Sequence, residues 1–217
     1  MGNGTAILRH VAAGTEVHLV CATKGGAGWN GLPAGRRQEE LPEIRAAELE
    51  RAAAVLGLSS VEVWDYPDGG VPGCDLAEIT SRIRAAVERI DPDLVYGWGP
   101  DGGYGHPDHI AVGACTDAAL RGSRKELFHL VFDKAEAAFM NAYVRRIDPA
   151  GSMAFAPVDR PDLTFEPTSQ ELADVRQAVY CHASQLSPVW REWVDDDASF
   201  YWLARNSYLR VDDSRSL

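Results

Sequence analysis

A histidine-bearing loop near the middle of the chain carries the strongest chemical signal. His106 and His109 flank Pro107-Asp108, directly after the glycine-rich segment Gly102–Gly105. Proline favours the first position of a helix, so a helix is expected to begin at Pro107 with His106 at its N-cap and His109 one turn later. The positive end of the helix dipole disfavours protonated imidazole, which leaves a neutral nitrogen free to bind a metal ion. The spacing predicts metal or acid–base chemistry, although a capped helix with two solvent-facing histidines would show the same pattern.

Two other loops follow predicted strands and have an unusual composition. Asp65–Gly70 (DYPDGG) is typical of a turn, and an aspartate at the end of a strand could also orient a sugar or another ligand. Gly26–Gly31 (GAGWNG) matches the G-x-G-x-x-G pattern of dinucleotide sites. That interpretation requires a helix to begin inside the motif, and Pro33 and Gly35 interrupt any helix there. A flexible loop or lid is the alternative for this segment.

These loops must be positioned by the elements between them, which alternate between helix and strand. The predicted strands are Val17–Ala22, Val61–Trp64, Leu94–Trp98 and Leu127–Phe132. The predicted helices are Asn3–Ala13, Glu43–Leu56, the segment between Asp75 and Asp91, Pro107–Leu120 and Ser169–Ala183, with Arg145–Thr168 expected to be a loop containing one strand. This order predicts an α/β, Rossmann-like, open and mostly parallel sheet with helices on both faces. Two of these strands, Val17–Ala22 and Leu94–Trp98, are expected to be buried on both faces.

The overall composition restricts the class of protein. The chain has 217 residues, with 21 Lys and Arg against 32 Asp and Glu, and a net charge of −11. This acidity argues against nucleic acid and against an anionic membrane surface as partners. No apolar run approaches the roughly 20 residues that span a bilayer. Its four cysteines are widely spaced and are expected to be reduced thiols in a cytoplasmic protein.

The loop Gly103–His109 (GYGHPDH) resembles a motif of the LmbE/PIG-L family of zinc-dependent N-deacetylases. Further segments with the family pattern follow one another in the expected order: Gly2–Ala6, Glu43–Leu49 (R-x-x-E-L), Asp65–Gly69 (D-x-P-D-G) and His182–Gln185 (H-x-S-Q). The G-H-P-D-H motif is specific, and the others support it mainly through their order. The likeness therefore extends through most of the chain.

The resemblance implies a role for each residue of the loop. His109 would be a zinc ligand, and His106 would be the catalytic histidine that stabilises the oxyanion and helps the amine to leave. Asp108 would support His106, and Tyr104 would help to polarise the amide carbonyl. The implied reaction removes an acetyl or similar acyl group from the amide nitrogen of an N-acetylglucosaminyl-type conjugate, with a zinc-activated water as nucleophile.

The resemblance also implies substrate-side groups and exposes a departure from the family. Arg45 and Asp68 would bind the small-molecule amino-sugar conjugate. The family's first motif, H-P-D-D-E, supplies a histidine and an aspartate to zinc and a further aspartate as general base, and it would stand just before Gly2. This motif and its strand are absent, and the chain opens on a helix. A single deacetylase domain over residues 1–217, truncated at its N-terminus relative to the family, is therefore expected.

Two alternatives to an active zinc hydrolase stay open on the sequence. A family member that lost its metal would be a non-catalytic binding or interaction domain. A nucleotide-binding oxidoreductase would rest on the glycine-rich loop alone. The sequence also leaves open which acyl group and sugar are recognised, and whether the protein is a homo-oligomer, since buried and interface aromatic residues look alike in sequence.

Overall fold

The protein is described here by a computed structural model covering residues 2–28, 31–32, 35–147, 150–151 and 153–212. It divides into two compact units, one formed by Met1–Gly69 and Phe165–Asn206 and the other by Gly70–Thr164 and Ser207–Leu217. All four cysteines, Cys21, Cys74, Cys115 and Cys181, are free thiols. Within these ranges, no helix is both long enough and apolar enough to cross a membrane.

Helices and strands alternate along most of the described chain. The helices are α1 Gly4–Ala12, α2 Leu41–Leu56, α3 Leu76–Ile90, α4 Gly102–Gly105, α5 Pro107–Leu120, α6 Lys134–Ile147, α7 Ser169–Tyr180, α8 Pro188–Asp195 and α9 Asp197–Ala204. The strands are β1 His18–Thr23, β2 Ser60–Tyr66, β3 Leu94–Trp98, β4 Glu126–Asp133, β5 Pro157–Val158, β6 Leu163–Phe165 and β7 Asn206–Arg210. This order is that of an α/β protein.

The first unit contains one parallel strand pair and a group of packed helices. β1 pairs with β2 in parallel, starting with His18 opposite Ser60, and α2 connects the two strands. α2 ends at Gly57, whose φ of +79° is left-handed and suits glycine. The apolar core of the helices consists of Val175, Val179, Leu186, Val194, Phe200 and Ala204. This unit carries the loops that follow β1 and β2.

The second unit contains a five-stranded sheet with the order β3-β4-β7-β6, in which β5 also pairs with β4. β3 and β5 run parallel to β4, whereas β7 is antiparallel to it. The Asp75 side chain caps α3 by accepting hydrogen bonds from the backbone N–H groups of Ala77 and Glu78. The loop after β3 leads through α4 into α5 and carries the two histidines of the motif.

Most of the predicted elements are confirmed, and so is the mostly parallel α/β class. α5 and β3 have the predicted bounds, and the other predicted elements differ by a few residues at their ends. The described strands form two sheets rather than one open sheet. The prediction that β1 and β3 are buried on both faces is wrong, because every residue of both strands is only partly buried. Among the described strands, β1 pairs only with β2 and β3 only with β4, so each has one edge without a paired strand.

Four helices were not expected from the sequence: the short α4 in the glycine-rich segment, α6, α8 and α9. α6 continues to Ile147 and overlaps the start of the segment 145–168, which was predicted to be a loop. α8 and α9 are short helices in the tryptophan-bearing tail, and their N-caps are Ser187 and Asp196. Both caps accept a hydrogen bond from a backbone N–H three residues later, which is a sequence signal for a helix start.

Candidate active site

The loop between β3 and α5 is shaped by glycines and by two side-chain caps. Gly102 has a φ of +60°, and a Cβ there would lie 3.0 Å from the backbone nitrogen of Ile110. Only glycine fits this position without strain. Asp101 accepts a hydrogen bond from the N–H of Gly103, and His106 is the N-cap of α5. The loop is thereby held close against the first turn of α5.

His109 is fixed by one hydrogen bond and two stacked rings. Its Nδ1 lies 3.0 Å from the carbonyl oxygen of Gly102. Because a carbonyl only accepts, this contact assigns the proton to Nδ1 and leaves the lone pair on Nε2. The indole of Trp98 stacks on the imidazole with ring centroids 3.8 Å apart. Burial lowers the pKa of His109 to about 4, so the ring is neutral at pH 7.

His106 has the opposite tautomer. Its Nδ1 accepts a hydrogen bond from the backbone N–H of Asp108, with a distance of 3.2 Å between the nitrogens. In the neutral ring, this contact assigns the proton to Nε2, which can then act as a donor. The two imidazoles stack with centroids 4.5 Å apart. One ring therefore presents a lone pair and its neighbour presents a proton.

Tyr104 and Asp108 complete what we call the histidine cluster: Trp98, Tyr104, His106, Asp108 and His109. The ring of Tyr104 meets both imidazoles edge to face, with centroid distances of 5.8 Å to His106 and 5.2 Å to His109. Asp108 is buried, and its Oδ1 accepts a hydrogen bond from the backbone N–H of Val71 at 3.1 Å. All four residues predicted in this loop are thus brought together within the second unit.

In the first unit, Asp68 lies at the loop that follows β2. Its Oδ1 accepts from the hydroxyl of Thr23 at 3.1 Å, and its Oδ2 accepts from the backbone N–H of Ala27 at 2.9 Å. A cavity of about 440 Å³ borders this carboxylate, together with Lys24, Tyr66 and other residues of the same unit. Asp68 is therefore held by the loop after β1 while it faces a cavity large enough for a sugar-sized ligand.

Arg45 is part of a buried group that we call the arginine network: Arg45, Glu48 and Ser184. Arg45 is 6% exposed, and its Nη1 donates to the carbonyl oxygen of Gly25. Its Nε lies 3.4 Å from the hydroxyl of Ser184, which in turn donates to Glu48. Burial lowers the pKa of Arg45, and the carboxylates of Asp68 and Glu48 partly reverse this effect. The guanidinium is thus engaged by the protein itself.

The described residues do not complete a metal site. Nε2 of His109 has the chemistry of a zinc ligand, but catalytic zinc is held by three protein ligands. Across the described ranges there is no group of three or more His, Cys, Asp and Glu side chains that could hold a metal ion. His109 therefore fits a metal as one ligand only.

The histidine loop lies in the part of the chain that matches a known family. Residues 1–120 match the model of the family described as PIG-L, GlcNAc-PI de-N-acetylase. The chain belongs to the PIG-L family. Its match includes the helix with Arg45, the loop with Asp68 and the whole motif of His106 and His109.

A curated PIG-L relative extends the similarity to almost the whole chain. The 1D-myo-inositol 2-acetamido-2-deoxy-alpha-D-glucopyranoside deacetylase of Mycolicibacterium vanbaalenii is 28% identical over 241 residues, which cover 96% of this chain and 82% of that protein. The family match and this relative together support a PIG-L enzyme that is a hydrolase acting on carbon–nitrogen bonds.

Solved structures show that the PIG-L fold serves more than one reaction. N,N'-diacetylchitobiose deacetylase from Pyrococcus horikoshii has a TM-score of 0.65 at 20% identity, covering 97% of this chain and 78% of that chain. The 4-carboxy-2-hydroxymuconate hydratase from Pseudomonas putida has a TM-score of 0.64 at 17% identity, covering 99% and 91%. At these identities the likeness concerns the fold alone, so the reaction must be argued from the site.

Sequence reasoning missed one residue of the histidine cluster and two of the arginine network. Trp98 is the last residue of β3, and an aromatic residue one position before a glycine-rich loop was the available signal. Glu48 belongs to the R-x-x-E-L pattern and Ser184 to the H-x-S-Q pattern, yet neither was given a role. Trp29, Asn30, Pro33 and Ala34 of the glycine-rich loop lie outside the described residues. α2 begins at Leu41, ten positions after Gly31, so the described structure does not favour a dinucleotide site.

Proposed function

We propose that this protein is an N-deacetylase that hydrolyses the acetamide of an N-acetylglucosaminyl-type conjugate. The proposal is carried by the opposite tautomers of His106 and His109 in a PIG-L chain. An amide hydrolase needs a donor for the carbonyl oxygen as it becomes negative and an acid for the departing amine. A neutral histidine that presents Nε2–H can serve the first need, because it donates a hydrogen bond while keeping its proton.

In the proposed reaction, each residue of the loop has a distinct task. His106 donates a hydrogen bond from Nε2–H to the oxyanion that forms when water adds to the amide carbonyl. The proton that this water loses is taken up by the leaving nitrogen as the C–N bond breaks, so that acetate and the primary amine form and His106 keeps its own proton. The backbone N–H of Asp108 keeps His106 in this tautomer, and buried Asp108 anchors the first turn of α5 through Val71. The hydroxyl of Tyr104 polarises the amide carbonyl.

Zinc dependence is part of the proposal, and it rests on the family resemblance together with the state of His109. The proton of His109 is on Nδ1 and its pKa is lowered to about 4, so Nε2 is available to a metal at neutral pH. The other ligands are not among the described residues. His109 is accordingly the one protein ligand that we assign.

The proposed substrate is a small amino-sugar conjugate. The relative in Mycolicibacterium vanbaalenii is named for a glucosaminide joined to inositol, and the solved relative of Pyrococcus horikoshii for a disaccharide. Asp68 is the proposed substrate-side group, since it borders a cavity in its unit. The family match to residues 1–120 runs through both compact units, which supports a single deacetylase domain over residues 1–217.

The test is deacetylation by the purified chain in buffer containing Zn²⁺. The substrates are N-acetylglucosaminyl-inositol and N,N'-diacetylchitobiose, and the readout is the primary amine and acetate released in equal amounts. His109→Gln should abolish activity and remove the zinc retained after dialysis, as measured by elemental analysis. The matched control is His18→Gln, because His18 lies in β1 and contacts Ser60. This control should behave like the unchanged protein.

The proposal fails if the zinc-supplied chain releases no amine from either substrate while it remains folded. A metal-free binding domain would show that result together with no retained zinc. If His109→Gln retains as much zinc as the unchanged chain, the assignment of His109 as a ligand is wrong even where activity is present.

A further inference from the structure

A buried carboxylate in α2 holds a single serine through both of its oxygens. Glu48 Oε1 accepts from the backbone N–H of Ser184 at 2.8 Å, and Glu48 Oε2 accepts from the Ser184 hydroxyl at 2.7 Å. Both residues are 2% exposed. Hydrogen bonds to an ionised acceptor in such a setting are strong and directional. The hydroxyl of Ser184 therefore has a fixed orientation. It donates its proton in a hydrogen bond to Glu48, and its oxygen still has a lone pair that can accept another hydrogen bond.

That lone pair faces Arg45. The Nε of Arg45 lies 3.4 Å from the Ser184 hydroxyl, while its Nη1 donates to the Gly25 carbonyl. A Cβ at Gly28 would lie 2.8 Å from Nη1, and one at Gly25 would lie 3.3 Å from it. The glycines thus let the loop after β1 lie directly against the guanidinium. A side chain at Gly28 would push the two apart.

The same loop is tied at three further points within the first unit. Gly31 donates its N–H to the carbonyl oxygen of Ser184 at 3.0 Å, and Gln38 donates its side-chain amide to Gly26 at 3.0 Å. Ala27 donates its N–H to Asp68 at 2.9 Å. The contacts therefore run from Glu48 through Ser184 and Arg45 into the loop, and from the loop to the Asp68 carboxylate.

The buried charges of the arginine network are not expected to be the main source of the stability of the first unit. Burying ionised groups has a large desolvation cost, and apolar residues of similar size are often at least as stabilising. The first unit already has an apolar core among its helices. Arg45 has a defined orientation because both its Nε and its Nη1 make contacts. Its position in turn restrains the loop after β1, which has few side chains of its own.

We propose that Glu48 and Ser184 are positioning residues that act through Arg45 to hold the loop at Gly25–Gly28 against Asp68. In this arrangement Arg45 supports the loop through Nη1 while its Nε contacts Ser184. The loop in turn fixes which face of the Asp68 carboxylate is presented to the cavity. The effect on substrate binding rests on the proposed function, whereas the positioning of the loop does not.

Amide hydrogen exchange tests the positioning directly, because Ala27 and Gly31 donate their N–H groups to Asp68 and Ser184. Ser184→Ala removes the hydroxyl that links Glu48 to Arg45. We expect exchange in the peptide spanning residues 24–31 to accelerate at least about 10-fold, while α7 in the same unit changes by less than about 2-fold. Ser184→Thr retains the hydroxyl and should restore the original exchange rate.

Kinetics with the proposed substrate provide the second readout. Ser184→Ala should raise KM about 10-fold with kcat within about 3-fold, which is the pattern of lost substrate positioning rather than lost chemistry. Ser184→Thr should restore KM. A chain that lacks deacetylase activity altogether contradicts the proposed function, while the exchange data still decide the positioning of the loop.

The proposal is overturned if Ser184→Ala leaves exchange of residues 24–31 unchanged. It is also overturned if the loop and α7 accelerate equally, since that is the result of a general loss of stability. Should Ser184→Ala fail to fold, Glu48→Gln decides the matter, because it retains size but removes one acceptor from Ser184. It should accelerate the loop selectively, and an unchanged loop would contradict the proposal.

Discussion

The histidine cluster and the arginine network are built in opposite ways. The five residues of the histidine cluster all lie between positions 98 and 109, at the end of β3, in the glycine-rich segment and at the start of α5. The arginine network joins residues of α2 to Ser184, which is 136 positions from Glu48 in the chain. One is local in sequence and the other depends on tertiary structure.

The difference determines which of the two a sequence motif can describe. In the histidine cluster, the tautomers follow from a backbone carbonyl and a backbone N–H within seven residues. In the arginine network, the position of residues 182–185 determines whether the guanidinium of Arg45 contacts solvent, substrate or protein. The motif of the histidine cluster therefore predicts the chemistry of its residues from their types. The motifs of the arginine network predict only that their residues lie in the same protein family pattern, not what they contact.

The largest expected effect lies in the histidine cluster. His106→Ala should lower kcat by about 10²- to 10³-fold, the range for loss of one oxyanion donor, because the Nε2–H that stabilises the oxyanion is removed. Retained zinc should not change, since His109 keeps its contact with Gly102. Activity assays and elemental analysis check both parts. Equal loss of zinc and activity would instead make His106 a second metal ligand, and the two histidines would no longer have separate roles.

A stability test distinguishes the two kinds of glycine in this loop. Gly102→Ala should lower the free energy of unfolding by about 3 kcal/mol, because the new Cβ has both a left-handed φ and a contact with Ile110. Gly105→Ala is the matched control, since its φ of +85° is also left-handed but nothing lies within 4 Å of its Cβ. It should lose only about 1 kcal/mol. Urea denaturation of both variants checks the difference.

Equal destabilisation by the two alanines would mean that backbone conformation alone matters at Gly102. The close approach of the loop to α5 would then contribute nothing measurable. In that case the position of the Gly102 carbonyl, and with it the tautomer of His109, would not depend on tight packing.

Much of the fold could be predicted because its signals are local. α5 was predicted from Pro107 at its first turn, and α3 from the N-cap at Asp75, and both are confirmed. The burial of β1 and β3 could not be predicted in this way. An apolar strand has the same sequence whether neighbours cover one edge or two, and here β1 and β3 each pair with one strand among the described residues.

The site shows the same limit at the level of single residues. The spacing of His106 and His109 predicted their proximity, which the stacked rings show. Trp98 was not predicted, although its ring lies on His109, because its partner is set by the turn at Gly102. The assignment of Arg45 to substrate stays a prediction, and its burial against Gly25 favours the loop-supporting role.

The smallest expected effect is on the pH dependence of the free energy of unfolding, and it concerns a histidine beside the arginine network. His182, next to the arginine network, has a pKa lowered to about 4 by burial and by the positive charges of Arg51 and Arg45. The unfolded chain, with a histidine pKa of about 6.5, therefore binds more protons between pH 4 and 6.5, and stability falls as the pH is lowered through this window.

His182→Gln removes this titration from the first unit while leaving the histidine cluster unchanged. The stability lost between pH 7 and pH 5 should shrink by about 2 kcal/mol, measured as the change in the free energy of unfolding in urea at the two pH values. Comparing the two pH values within each protein cancels the lost contact between His182 and Gln185. An unchanged pH dependence would mean that His182 is protonated as readily in the folded chain as in the unfolded one. In that case neither burial nor the charges of Arg51 and Arg45 would lower the pKa of His182.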